Sequence, residues 1–335
     1  MSAHRKLSHD TARLVEAIRA GDRVALARAI TLVESAKAED QEAAQELLER
    51  LSPHTGKSIR VGISGVPGAG KSTLIDQLGI NLLAQGRKVA VLAVDPTSSR
   101  SGGSILGDKT RMGRLAAEAH AFIRPSPAGD SLGGVTKTTR ETIALSEAAG
   151  YDVVLVETVG VGQSEMAVAN MVDVFVVVAI AGAGDELQGI KRGLLELADV
   201  IAVNKAEGDN VERANRAAME YKTALHILAA GHPNWEPHVL TISARDNRGL
   251  DELWQKVEAR HEALAKSGAL DARRADQAVA WMREIFEQRL LAAFKGGRRA
   301  ALHWQDLEDK VRAGEMTPAA AAHELGQIAG IKPPK

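Results

Sequence analysis

Gly65, Val66, Pro67, Gly68, Ala69, Gly70, Lys71 and Ser72 carry the spacing G-x-x-x-x-G-K-[ST], with Thr73 directly after it. Residues of these types can hold a polyphosphate. The glycines let backbone N–H groups wrap close to phosphate oxygens, where side chains would block approach. Lys71 can reach the β- and γ-phosphates, and the Ser72 hydroxyl can hold Mg²⁺. The pattern works only between a strand and a helix, and its flanks comply. Ile59-Arg60-Val61-Gly62-Ile63 reads as a buried strand, and Thr73-Leu74-Ile75-Asp76-Gln77-Leu78 reads as a helix. A helix start at this point adds unpaired N–H donors and a partial positive charge.

Acids at the ends of other strand-like runs complete a metal site. In Tyr151 to Glu157 the apolar run Val153-Val154-Leu155-Val156 ends in Glu157, and a glycine segment through Gly160 and Gly162 follows. Glu157 is expected to bind Mg²⁺ through water or to orient the attacking water. Val91-Leu92-Ala93-Val94 ends in Asp95, a second candidate for Mg²⁺ or its water. Parallel sheets bind ligands at the carboxyl ends of their strands, which is where both acids fall. The polar, glycine-containing stretch from Ser99 to Arg111 reads as a switch loop, in which Asp108 can close on the metal.

Asn204-Lys205-Ala206-Glu207 ends another strand-like run and approximates N-K-x-D. A carboxylate there accepts hydrogen bonds from guanine N1–H and its 2-amino group. Adenine offers neither donor in that arrangement, so the buried acid would be left unpaired, and such a site discriminates strongly. The acid is Glu rather than Asp, and Asp209 is an alternative reader. Ser243-Ala244-Arg245 resembles the S-A-K loop that meets guanine O6 through a backbone N–H.

The elements that position these residues follow from the rest of the pattern. The expected fold class is α/β, a P-loop NTPase with a mostly parallel central sheet flanked by helices. Strands are expected at 59–63, 88–94, 121–124, 151–157, 174–179, 200–204 and 238–242, several of them continuous β-branched runs. Residues 1–57 read as an N-terminal helical cap, 58–265 as the P-loop domain, and 266–335 as a helical arm. In that arm Val279, Met282, Ile285, Phe286, Leu290 and Leu291 form one stripe, which would serve dimerisation against a second copy.

Composition excludes several classes. The chain has 335 residues, 45% of them apolar, so it can bury a sizeable core. Its net charge of −1, without a long single-sign block, gives no footprint for nucleic acid. With no cysteine there are no disulfides, thiolate metal sites or thiol nucleophile, which suits a reducing compartment. No signal core opens the chain, and the apolar run from Val172 to Ala183 is too short to span a bilayer. A soluble, cytoplasmic protein without membrane partners is expected.

Taken together, GVPGAGKST (65–73), VDPTS (94–98), GDKTRMGR (107–114), RPSPAGDSLGG (124–134), ETVGVGQSE (157–165) and 204–207 resemble one family closely. That family is the GTPases associated with methylmalonyl-CoA mutase, the MeaB/ArgK type. The resemblance implies a homodimeric G-protein chaperone that uses GTP and GDP with Mg²⁺. It would gate cofactor delivery to the adenosylcobalamin-dependent mutase and protect that enzyme from inactivation. It also implies that Asp95, Asp108 and Glu157 surround Mg²⁺ and the attacking water. The stretch from Ala181 to Lys191 looks like an additional switch answering to the partner, in which Lys191 brings positive charge toward the nucleotide. Two rival readings carry different requirements. A small-molecule kinase needs an acceptor pocket with a general base, and a metal-insertion GTPase needs soft or imidazole ligands.

Overall fold

The computed structural model describes residues 2–35, 37–94, 112–125, 132–158, 160, 164–181, 192–228, 237–296 and 298–328. By contacts the chain divides into two compact units, Met1–Ala275 and Asp276–Lys335.

The first unit opens with three helices, α1 (Ser2–Arg19), α2 (Arg23–Glu34) and α3 (Ala38–Leu51). The Asp22 carboxylate caps α2 by accepting from the N–H groups of Val24 and Ala25, so the turn after α1 is set by a side chain. Leu26, Ile30 and Val33 recur at helical spacing and are buried on the sheet's outer layer.

Strands and helices then alternate: β1 (Ile59–Gly65), α4 (Lys71–Ala84), β2 (Val89–Val94), α5 (Gly113–Ala116), β3 (Ala121–Arg124), α6 (Leu132–Ala148), β4 (Val153–Thr158), α7 (Glu165–Ala169), β5 (Val174–Ile180), α8 (Arg192–Leu197), β6 (Val200–Asn204), α9 (Val211–Leu228), β7 (His238–Thr241) and α10 (Leu250–Lys266). All seven expected strands form, in the order β3-β2-β4-β1-β5-β6-β7, and every pairing is parallel. The continuous apolar runs follow from this arrangement, because a central strand is covered on both faces. Val153, Leu155, Val174, Val176 and Val178 face the layer of α4 and α10, while Val154, Val156, Phe175 and Val177 face the layer of α2, α6 and α9. A polar strand face has no place in such a sheet.

The phosphate-loop strand β1 lies between β4 and β5 near the sheet centre, with Ile63 in register with Glu157. The strand ends carrying Gly65, Glu157 and Asn204 therefore open on one edge of the sheet. At the opposite edge a buried charged cluster closes the molecule. Asp173 accepts from the Arg60 backbone N–H and twice from the Arg274 guanidinium, and Arg60 forms a bidentate pair with Glu147. Arg274 also donates to the carbonyl oxygens of Gly56 and Ser58.

The helix α11 (Ala269–Gly296) starts earlier than the apolar stripe alone indicates. It leads into the second unit, with α12 (Arg298–Arg312) and α13 (Pro318–Ile328). There Leu307 and Ala321 are buried, whereas Val279, Met282, Phe286, Leu290 and Leu291 are exposed. Among the described residues, no helix is long and apolar enough to cross a membrane.

Candidate functional site

The chain leaves β1 at Gly65, crests at the exposed Pro67 and Gly68, and enters α4 at Lys71. Gly70 takes the left-handed conformation at the helix N-cap, with φ +89°, where most residues would be strained. A Cβ at this position would also meet Asn204 Nδ2 at 2.6 Å. Glycine here thus lets two loops touch. Asn204 Nδ2 donates to the Ala69 carbonyl across 2.8 Å, and its Oδ1 accepts from the Ala244 N–H across 3.0 Å. One buried amide therefore ties the phosphate loop to both loops expected to read the base.

Lys71 is buried, and its ammonium donates to the carbonyl oxygens of Gly65 (2.8 Å) and Val66 (3.3 Å). Burial pushes its pKa below the ordinary 10.5, against the opposing charges of Glu157 and Glu165. Ser72 and Thr73 follow in the first turn of α4, and the Ser72 hydroxyl donates to Glu157 Oε1 across 3.0 Å. At the end of β4, the Thr158 hydroxyl donates to Ser64 Oγ across 2.8 Å. The two central strands are thereby joined by side chains directly beneath the phosphate loop. Gly160 lies against that loop so tightly that a Cβ would sit 2.0 Å from the Gly65 oxygen and 3.2 Å from Lys71 Nζ.

The residues present fit a magnesium ion. Ser72 Oγ and Glu157 Oε1 are hard oxygen donors, and their 3.0 Å separation suits neighbouring positions of an octahedron whose bonds are about 2.1 Å. Among the described residues no cluster of three or more His, Asp or Glu side chains forms a metal cage. Mg²⁺ needs no such cage, since it is usually held by one or two carboxylates together with waters and substrate phosphates.

The loops expected to read the base are cross-linked. Lys205 has φ 62°, and its carbonyl accepts from Glu207 N and Asn210 Nδ2, while Ala206 N donates to the Ile242 carbonyl. Glu207 is half-buried, takes a short hydrogen bond from the Ser243 hydroxyl, and lies 3.6 Å from Arg245 Nε. Ser243 Oγ also accepts from Asp246 N, which fixes its proton toward Glu207. Asp209, the alternative reader, is exposed in the short 3₁₀ turn Gly208–Asn210.

The structure thus brings Gly65–Thr73, Glu157, Asn204, Lys205, Glu207, Ser243, Ala244 and Arg245 to one end of the sheet. Asp95, Asp108 and Lys191 lie outside the described residues. Sequence reasoning gave no role to Glu165, whose buried charge acts on Lys71, or to Asp76, which accepts from residues 114 and 115. A second acid closing the glycine segment after Glu157 was the signal for the first. The second sits on a helix face without any motif.

Fold and site define a P-loop nucleotide-binding protein. Residues 26–299 match the model of the methylmalonyl Co-A mutase-associated GTPase MeaB. A putative GTPase of Caulobacter vibrioides is 56% identical over 93% of this chain and 95% of its own length. The mitochondrial methylmalonic aciduria type A homolog of Mus musculus is 47% identical over 93% of this chain and 78% of its own. The crystal structure of an LAO/AO transport system kinase is similar with a TM-score of 0.74 and 39% identity, covering 96% of this chain and 97% of that one. This chain belongs to the MeaB family of GTPases, and guanine nucleotides are the ligands such a family implies.

Proposed function

We propose that this protein is a GTP-hydrolysing chaperone of an adenosylcobalamin-dependent methylmalonyl-CoA mutase, gating cofactor loading and protecting the mutase from inactivation. The observation that carries the nucleotide part is the Asn204 amide, which makes the phosphate loop and base loops one body. The partner rests on the family's description as mutase-associated and on the name of the mouse relative.

Each residue's part follows from charge. Phosphoryl transfer asks a protein chiefly to position groups and neutralise developing negative charge. The loop N–H groups of Gly65–Thr73 hold the phosphates, and Lys71 turns its ammonium from its own loop carbonyls to the terminal phosphate. Ser72 and Glu157 would hold Mg²⁺ with Asp95 and Asp108, and bound metal would supply charge neutralisation at the phosphate oxygens. Glu207 reads guanine N1–H and the 2-amino group, positioned by Ser243, while Ala244 and Arg245 close over the base. Lys191 would add positive charge when the mutase is bound. A positive group supplied late raises hydrolysis by about 10³–10⁵ in other GTPases. The free protein is therefore a slow timer.

The exposed stripe of Val279, Met282, Phe286, Leu290 and Leu291 supports a homodimer formed through the 266–335 arm, with 1–57 and 58–265 as the cap and the GTPase domain. No nucleic acid is required by a chain of net charge −1.

Purified mutase should be captured by this protein differently in GDP and in a non-hydrolysable GTP analogue. Single-turnover hydrolysis should accelerate when the mutase is added. Equal rates with and without mutase, together with equal capture in both nucleotides, would overturn the chaperone reading. A phosphate acceptor that outcompetes water would favour a kinase instead.

A further inference from the structure

Asp76 stands one helical turn after Ser72 on α4, so the two side chains share a face. Its side chain is 8% exposed and fully used. Oδ2 accepts from Arg114 Nε at 2.8 Å and lies 2.8 Å from Nη2, while Oδ1 accepts from the Leu115 backbone N–H at 2.9 Å. One turn further along, Gly79 lets Leu115 pack against bare helix backbone. A Cβ there would stand 2.5 Å from Leu115 Cδ2 and 2.7 Å from Cδ1. Met112 and Leu115 are fully buried, so neither can yield easily.

The chain thus returns to the phosphate-loop helix at a fixed point one to two turns beyond Ser72, fastened by a carboxylate and by a glycine-shaped notch. An apolar residue would dock Leu115 without a charge, and a charge alone would not require the notch. We propose that Asp76, with Gly79, is a positioning residue that sets the metal-dependent part of nucleotide binding. It does so by holding residues 112–115 against the helix that carries Ser72. The inference rests on the Mg²⁺ and GTP reading above. In the sequence, the candidate ligand Asp108 precedes Met112 by four residues. Arg114 contributes less than the backbone bond, since its side chain is 59% exposed.

The test compares Asp76→Asn and Gly79→Ala with the unaltered protein, using a fluorescent GDP and a fluorescent non-hydrolysable GTP analogue, titrated with Mg²⁺ or in excess EDTA. The two substitutions attack one anchor by unrelated means, loss of charge and steric intrusion. Each is expected to raise the Mg²⁺ concentration for half-maximal GTP-analogue binding by about tenfold. Affinity in EDTA should change by less than about twofold, and Arg114→Ala should shift the Mg²⁺ midpoint by only about threefold. Unchanged midpoints in both variants would overturn the proposal. So would equal losses with and without Mg²⁺, which would make the anchor a plain structural brace. Gly79→Ala leaves every charge in place, so it decides the matter if Asp76→Asn folds poorly. Failure of the unaltered protein to bind the analogue in a Mg²⁺-dependent way would instead remove the underlying reading.

Discussion

The Ser72 hydroxyl and Glu157 carboxylate meet across 3.0 Å, joining the first turn of α4 to the end of β4. Both oxygens are hard donors, so a divalent ion held there would take the place of the hydrogen bond between them and supply positive charge beside the phosphates. Glu157→Gln keeps the shape and removes the charge. It is expected to lower GTP hydrolysis by about 10²–10³, the range found when one electrostatic stabiliser is removed, while GDP binding in EDTA is retained. Single-turnover hydrolysis and EDTA titration measure the two effects separately.

Lys71 gives a pH dependence with a definite sign. Burial lowers its pKa from 10.5, and a bound triphosphate favours its charged form. GTP affinity should therefore hold at lower pH and fall as pH rises through the Lys71 value, beginning earlier than for a lysine in water. Calorimetry across alkaline pH tests this, with Lys71→Arg expected to flatten the profile because arginine stays charged.

Base selectivity separates Glu207 from Asp209. Glu207 is half-buried and held by Ser243, whereas Asp209 is exposed. Glu207→Gln should cut the preference for GTP over ATP by about 10²-fold or more, as for a polar reader left with mismatched partners. Asp209→Asn should leave it unchanged. Competition binding with the two triphosphates decides between them.

Gly160→Ala should be severe for its size. The added methyl would meet the Gly65 oxygen at 2.0 Å, and the residue has φ 86°, so both contact and backbone resist it. Hydrolysis is expected to fall at least about tenfold from displacement of catalytic groups, and the melting temperature should drop as well, because the strain is carried by the folded state.

His261 predicts an acid-side weakness far from the nucleotide. Its Nε2 is buried without a hydrogen-bond partner and lies 3.8 Å from Asp173, which Arg274 already engages. Burial lowers its pKa from 6.5, opposed by Asp173 and reinforced by Arg274. The unfolded chain therefore takes up the proton first, and stability drops as pH falls through 6.5 toward the folded value. Thermal melts of His261→Phe should lose part of that acid-side slope.

The phosphate loop and the seven strands were legible because each is written in consecutive residues with a fixed period or spacing. Helix ends were less so, as α11 shows by starting ahead of its apolar stripe. The Asp76 anchor and the cluster of Arg60, Glu147, Asp173, His261 and Arg274 carry no local signature. Each joins residues distant in the chain, and a charged residue reads as solvated until its partners are known. The Asn204 bridge shows the intermediate case, in which the residue stood out but its second attachment, to Ala69, did not.

Arg274 lies beyond the end of α10 at Lys266, yet its guanidinium holds Asp173 and the carbonyls of Gly56 and Ser58. The shortest autonomous nucleotide-binding piece is thus longer than its last strand and last covering helix would indicate. A truncation at Lys266 would strand a fully buried anion at the foot of β5, at a cost of about 3–5 kcal/mol. The first residues of the arm are therefore as much the floor of the catalytic body as the beginning of an appendage.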